Sequence, residues 1–318
     1  MGWRRRSLAA SMTTSLTGWV TCFSESAERM PVSSTKSGPE TVRFRGDQAI
    51  SLVADEWNRG AASAAARPTI LMLHGGGQNR FSWKNTGQVL ADQGFHVIAL
   101  DARGHGDSDR APNAEYTVDA LSRDVLNVLD QIGRPVVLIG ASMGGLTSIL
   151  VAHLAGPQKV TKLVLVDVVP RVEQKGASRI HDFMVSHVHG FETLEHAADA
   201  ISEYLPHRKR PKNLDGLKKN LRHRDGRWFW HWDPAFLQPI NDDPFVRAEE
   251  LEQAAVDLTI PILLIRGKLS DVVSPEGVQD FLAKVPAAEF VELSDAGHTA
   301  AGDDNDAFSA AVVSFVTR

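Results

Sequence analysis

The stretch "VVLIGASMGGLTSILVAHLA", residues 136–155, begins as an apolar β-branched run, ends as a helical one, and places Ser142 at the joint. Gly140, Gly144 and Gly145 surround that serine. A strand that turns directly into a helix needs such small neighbours, because a side chain two residues to either side would meet the adjoining backbone. The turn lifts its central side chain out of the sheet. A glycine-rich strand–helix turn with an incidental serine has the same appearance, so the remainder of the chain has to discriminate.

The strand at 136–141 has company. Runs at 69–77 ("TILMLHGGG"), 96–108 ("HVIALDARGHGDS") and 162–170 ("KLVLVDVVP") are too apolar to have a wet face, as expected of parallel strands buried on both sides. Amphipathic segments of helical length, near 83–93, 117–132 and 143–155, lie between them. Strand–helix alternation predicts a doubly wound α/β fold. Ahead of it, "TVRFRGDQAISLVADEW" (41–57) reads as a β-hairpin turning at Gly46-Asp47, and the alanine-rich 61–68 as a linker. After Pro170 the alternation stops, and 171–256 reads as helices and loops rich in His, Arg, Lys and Trp. Strands resume at 260–267 and 288–293, followed by a last amphipathic helix, "DAFSAAVVSFVTR". The expected organisation is a core of 41–170 and 257–318 with a helical cap, or lid, at 171–256.

The 318 residues, 43% of them hydrophobic and 23% charged, suffice for one large domain plus an insertion. A net charge of -5 and a pI near 6.2 give no general attraction to nucleic acid or anionic membrane, so the expected partner is a small molecule. The single cysteine, Cys22, excludes an intrachain disulfide and any cysteine-built metal site. Residues 1–40 read as a disordered extension: Thr, Ser and Gly interrupt every apolar run that a secretory signal would need. A cytoplasmic protein is expected, with export through the Arg4–Arg6 leader as the alternative, and no run approaches the ~18 apolar residues of a membrane span.

A serine hydroxyl attacks only when a histidine takes its proton and a carboxylate orients that histidine. In sheet-built serine hydrolases the chain order is Ser, acid, His. Asp271, in "IRGKLSDVVS" after the strand at 260–267, and His298, in "ELSDAGHTA" after the strand at 288–293, fill the two later positions. Asp167, at the end of the sixth strand, is a rival acid; Asp295 reads as a turn residue, and Ser274 could cap the helix starting near Pro275. Acyl transfer also needs preorganised donors for the oxyanion. The amides of Gly76, in "LHGGGQNRFSW", and Met143 are expected to form that hole, with Gly77 the alternative to Gly76. A phosphate cradle is disfavoured, since neither a P-loop Lys-Ser/Thr nor G-x-G-x-x-G is present.

With "HGGG", "DARGHGDS", "GASMGG", "GKLSDVVS" and "DAGH" in this order over residues 41–318, the chain resembles the α/β-hydrolase superfamily. The resemblance implies a mostly parallel eight-stranded sheet, a Ser142–Asp271–His298 triad, a cap after the sixth strand and no cofactor. A serine at the nucleophile position points to esterase-like members and away from haloalkane dehalogenases and epoxide hydrolases, which use aspartate there. The expected reaction is hydrolysis of small, largely apolar carboxylic esters by a monomer or homodimer. Lactone hydrolysis, carbon–carbon bond hydrolysis and cofactor-free perhydrolysis are alternatives on the same triad. A non-catalytic ligand-binding protein is the alternative of another class.

The segment 207–236 joins basic residues to closely spaced aromatics. Nucleic-acid binding is disfavoured by the overall charge, and Trp228, Phe229, Trp230 and Trp232 are expected to hold the cap on the sheet and supply pocket wall. Trp83 is a further candidate for lining the acyl side, together with Gly77. His105 reads as structural, and His187 with His189 lacks the further ligands a metal would need.

Overall fold

The computed structural model describes residues 38–206, 210, 212–238, 244–294, 297 and 306–318. In chain order the elements are β1 (Glu40–Arg45), β2 (Ser51–Trp57), α1 (Ala62–Ala65), β3 (Thr69–Leu73), α2 (Lys84–Asp92), β4 (Val97–Leu100), α3 (Val118–Ile132), β5 (Val136–Ala141), α4 (Met143–Ala155) and β6 (Val160–Val166). An insert follows, with α5 (Gln174–Ser186), α6 (Leu194–Tyr204), β7 (Leu221–Arg224) and β8 (Arg227–Trp230). Then come α7 (Pro244–Val256), β9 (Ile262–Gly267), α8 (Pro275–Lys284), β10 (Ala288–Leu293) and α9 (Asp306–Thr317).

Eight strands form one sheet in the order β1-β2-β4-β3-β5-β6-β9-β10. Only β2 runs against its neighbours; from β4 to β10 every pairing is parallel. Leu71, sitting between Ile98 of β4 and Leu138 of β5, shows the register at the centre. Every residue of β3 and β5 is buried, which is why their sequences carry no polar alternation. One face packs Leu71, Leu138 and Leu163 under α3, α4 and α8, and the other packs Ile70, Val137 and Val164 against Trp83, Leu90 and Phe308. Local signals set the helix ends: the Thr117 hydroxyl caps α3, left-handed Gly133 stops it, and the Ser274 hydroxyl caps α8 ahead of Pro275.

Two findings differ from the sequence expectation. The segment expected to hold only helices and loops contains a β-hairpin, with Leu221 facing Trp230 and Arg224 facing Arg227 across Asp225-Gly226. Both turn residues have positive φ, 52° and 75°, the geometry that Asp-Gly favours in a tight hairpin. In addition α7, assigned from sequence to the cap, packs against α4 and contributes Leu251, Ala254 and Ala255 to the core under the sheet. Among the described residues no helix is long and apolar enough to cross a membrane.

Candidate active site

Ser142 sits between β5 and α4 with φ 47° and ψ -116°, a backbone conformation that costs a non-glycine residue on the order of 1–3 kcal/mol. The surroundings hold it there. Its N–H donates to the Val166 carbonyl of the neighbouring strand (3.1 Å), and its own carbonyl accepts from Gly145 (2.8 Å) and Leu146 (3.1 Å). A Cβ at position 140 would overlap the Gly144 carbonyl and Ser148, and one at position 144 would overlap the Leu73 and His74 carbonyls. The glycines therefore serve close approach, as the sequence suggested. Met143 opens α4, and the first amides of a helix have no intrahelical acceptor, so its N–H remains available to a ligand.

Beside the elbow runs the loop after β3. The Gly75 N–H donates to the Gln78 side chain (3.2 Å), and the Gly77 N–H donates to Nε2 of His105 (3.2 Å). Among the described residues the Gly76 amide has no acceptor, and Gly76 lines a cavity together with Ser142 and Met143. Gly77, the alternative oxyanion donor, has its amide committed elsewhere; it lines a second cleft instead.

The cavity over Ser142 measures about 630 Å³. Leu146, Val168 and Val172 line it from the core and Ala177, Ile180 and Met184 from α5; Phe236 and Leu237 come from the turn after β8. His181 and Arg247 are its basic groups, and Arg247 is paired with Asp119 (3.0 Å) and Glu250 (2.8 Å). The lining is thus overwhelmingly apolar, in the size range of small-molecule sites. The second cleft, about 320 Å³, lies on the other side of the loop, between Gln78, Phe81, Phe183, Tyr204, Lys219 and Trp230.

The two candidate acids differ in setting. Asp167 is fully buried just past β6, with φ 49°, and accepts from Gly267 N–H (3.0 Å) and Ser270 Oγ (2.6 Å). Asp271 is 39% exposed and takes both arms of the Arg179 guanidinium from α5, at 2.6 and 3.1 Å. Ser274, not Asp271, caps α8. His298 and Asp295 lie outside the described residues.

Three sequence candidates for the substrate wall fall elsewhere. Trp83 is completely buried in the core, 6.3 Å from Phe308, because the helical turn 80–83 aims it beneath the sheet rather than toward the loop. Trp228 packs within the insert against His223 and pairs with Phe191. Trp230 lines the second cleft, not the cavity over Ser142. Residues that do line that cavity, from α5 and from Phe236, had no sequence signal beyond amphipathicity. His187 stacks on Phe191 and bonds the Phe183 carbonyl, and among the described residues no cluster could hold a metal.

Beneath the loop lie three buried histidines. Burial pulls His74 down to about 4 and His105 to about 3, the latter helped by the neighbouring His74; burial also takes His231 well below its ordinary value. All three are neutral at pH 7.

A family model described as alpha/beta hydrolase fold matches residues 68–304. The chain is 30% identical over 268 residues to the mouse sn-1-specific diacylglycerol lipase ABHD11, covering 79% of this chain and 82% of that protein. It is 29% identical over 273 residues to the esterase Rv0045c of Mycobacterium tuberculosis, covering 83% and 85%. The crystal structure of an alpha/beta hydrolase from Novosphingobium aromaticivorans superposes with a TM-score of 0.74 at 27% identity, covering 88% of this chain and 99% of that one.

Proposed function

Because the chain belongs to the α/β-hydrolase fold family, we propose that it is a serine hydrolase that cleaves carboxylic esters of largely apolar substrates through an acyl-enzyme. One observation carries the reading: the strained Ser142 elbow opens into an apolar cavity beside two amides, those of Gly76 and Met143, that are free to receive an oxyanion. The names of the relatives, a diacylglycerol lipase and an esterase, support ester bonds as the target.

In this mechanism Ser142 Oγ attacks the ester carbonyl while His298 takes its proton, and the tetrahedral oxyanion is held by the two amides and the N-terminal end of α4. His298 then protonates the departing alcohol. Water, deprotonated by His298, attacks the acyl-enzyme and releases the acid. Asp271 orients His298. Asp167 is a second reading for that role, favoured by its complete burial and by the Gly267 and Ser270 donors it has among the described residues, where Asp271 is engaged by Arg179.

The test is steady-state hydrolysis of p-nitrophenyl esters from acetate to decanoate by the wild type and by Ser142→Ala. Turnover that disappears in Ser142→Ala is expected; equal turnover in both, or none in the wild type, would remove the proposal. Comparing Asp271→Asn with Asp167→Asn assigns the acid: its loss costs about 10⁴ in kcat, while the other variant stays within about tenfold.

A further inference from the structure

We propose that His105 and His231 are positioning residues of the oxyanion loop, through which docking of the insert fixes the Gly76–Gly77 peptide, the one that follows the Gly76 N–H in the chain and limits where it can point. The inference rests on the ester-hydrolase reading and adds to it a part for the insert.

Gly77 has φ +73° and lies in a glycine run, where the backbone is free to rotate unless something pins it. His105 is the pin. Its Nδ1 lies 3.0 Å from the Arg103 carbonyl, which only accepts, so Nδ1 carries the ring proton and Nε2 presents a lone pair. That lone pair receives the Gly77 N–H.

His231, just past β8, is arranged the opposite way. Its Nδ1 accepts the Gly106 N–H at 2.8 Å, which places its own proton on Nε2. The buried Nε2 has no hydrogen-bond partner among the described residues, and the Gly77 backbone acts on the ring in the direction that favours its protonated form. The rings of His105 and His231 are 6.0 Å apart, and Phe236 meets the edge of His105 at 4.9 Å while packing on Gly76. The same short segment is tied down by Asp233 N–H on the Gly104 carbonyl (2.8 Å) and by the Tyr116 hydroxyl on Asp233 Oδ2 (2.7 Å). Residues 231–236 of the insert thus grip the 104–106 loop, and that loop grips Gly77. A displaced oxyanion donor would slow the chemical step, since misplacements of about 1 Å cost up to roughly 10²-fold.

Amide side chains separate positioning from packing, because Gln places an oxygen where histidine has Nε2 and Asn places one where it has Nδ1. His105→Gln keeps an acceptor for Gly77 and His105→Asn does not; His231→Asn keeps one for Gly106 and His231→Leu does not. For the full chain on p-nitrophenyl butyrate, His105→Asn and His231→Leu are expected to lose about 10- to 100-fold in kcat with KM within about twofold. His105→Gln and His231→Asn should return to within about threefold of the wild type. Equal losses within a pair, or no loss in either member, would overturn the proposal. Thermal unfolding checks that each variant is folded, and if His105→Asn is not, the His231 pair decides by the same kcat ratio. A wild type without Ser142-dependent turnover would overturn the ester-hydrolase reading and this inference together, whereas an active wild type with unaffected variants would overturn only the latter.

Discussion

At Ser142 the backbone strain and the proposed chemistry occupy one residue. Alanine at this position would keep the strain and lose the hydroxyl, whereas glycine would lose both. Ser142→Gly is therefore expected to be more stable than Ser142→Ala by about 1 kcal/mol in urea unfolding, with neither variant hydrolysing esters. Equal midpoints would mean that the elbow stores no more strain than the roughly 0.4–1 kcal/mol by which glycine's greater unfolded-chain entropy offsets it. Single residues were also where sequence reading succeeded and failed most sharply. Ser142 and its glycines were legible because only small neighbours tolerate that turn. Trp83 was misplaced because spacing along the chain does not say which side of a loop faces the sheet. The commitment of the Gly77 amide was invisible for a different reason: its acceptor, His105, is 28 positions away.

Among the elements, α5 is one that links the insert to the site. It presents Ala177, Ile180 and Met184, spaced for one helical face, to the cavity over Ser142. Filling that face should shorten the accommodated chain. Ala177→Phe is expected to lower kcat/KM for p-nitrophenyl octanoate about tenfold or more while leaving acetate within about threefold, as a few methylenes at about 0.8 kcal/mol each lose their place. An unchanged chain-length profile would mean that the acyl chain lies elsewhere. The core strands were legible element by element, since fully buried β-branched runs have few alternative homes. The β7–β8 hairpin was not, although "RHRDGRWFW" contains the Asp-Gly signal, because its flanking residues are charged and aromatic and form no apolar alternation.

For the whole molecule, the buried histidines set the response to acid. His74, His105 and His231 have folded pKa values below the unfolded value, so in moderately acidic solution the unfolded chain binds protons that the folded chain refuses. Their neutral forms contribute fully above about pH 6.5, and stability falls as pH drops from there toward about 4, each unit of depression being worth about 1.4 kcal/mol. Asp101 and Asp124, raised by burial, act in the opposite sense at the acidic end; Asp47, Asp107 and Glu115, lowered by arginine partners, lose their contribution only in stronger acid. The thermal midpoint should decline between pH 6.5 and 4.5 with uptake of more than one proton on unfolding. A flat midpoint across that window would mean that the histidines are solvated or already charged.

The central claim is that Ser142 is a nucleophile. Treating the full-length protein with a fluorophosphonate and mapping the adduct by peptide mass spectrometry tests it most directly, because the phosphonyl group stays on the attacking oxygen. The account predicts stoichiometric labelling of Ser142 that is absent in Ser142→Ala. An unlabelled Ser142 in folded protein, or a label on another residue, would contradict it.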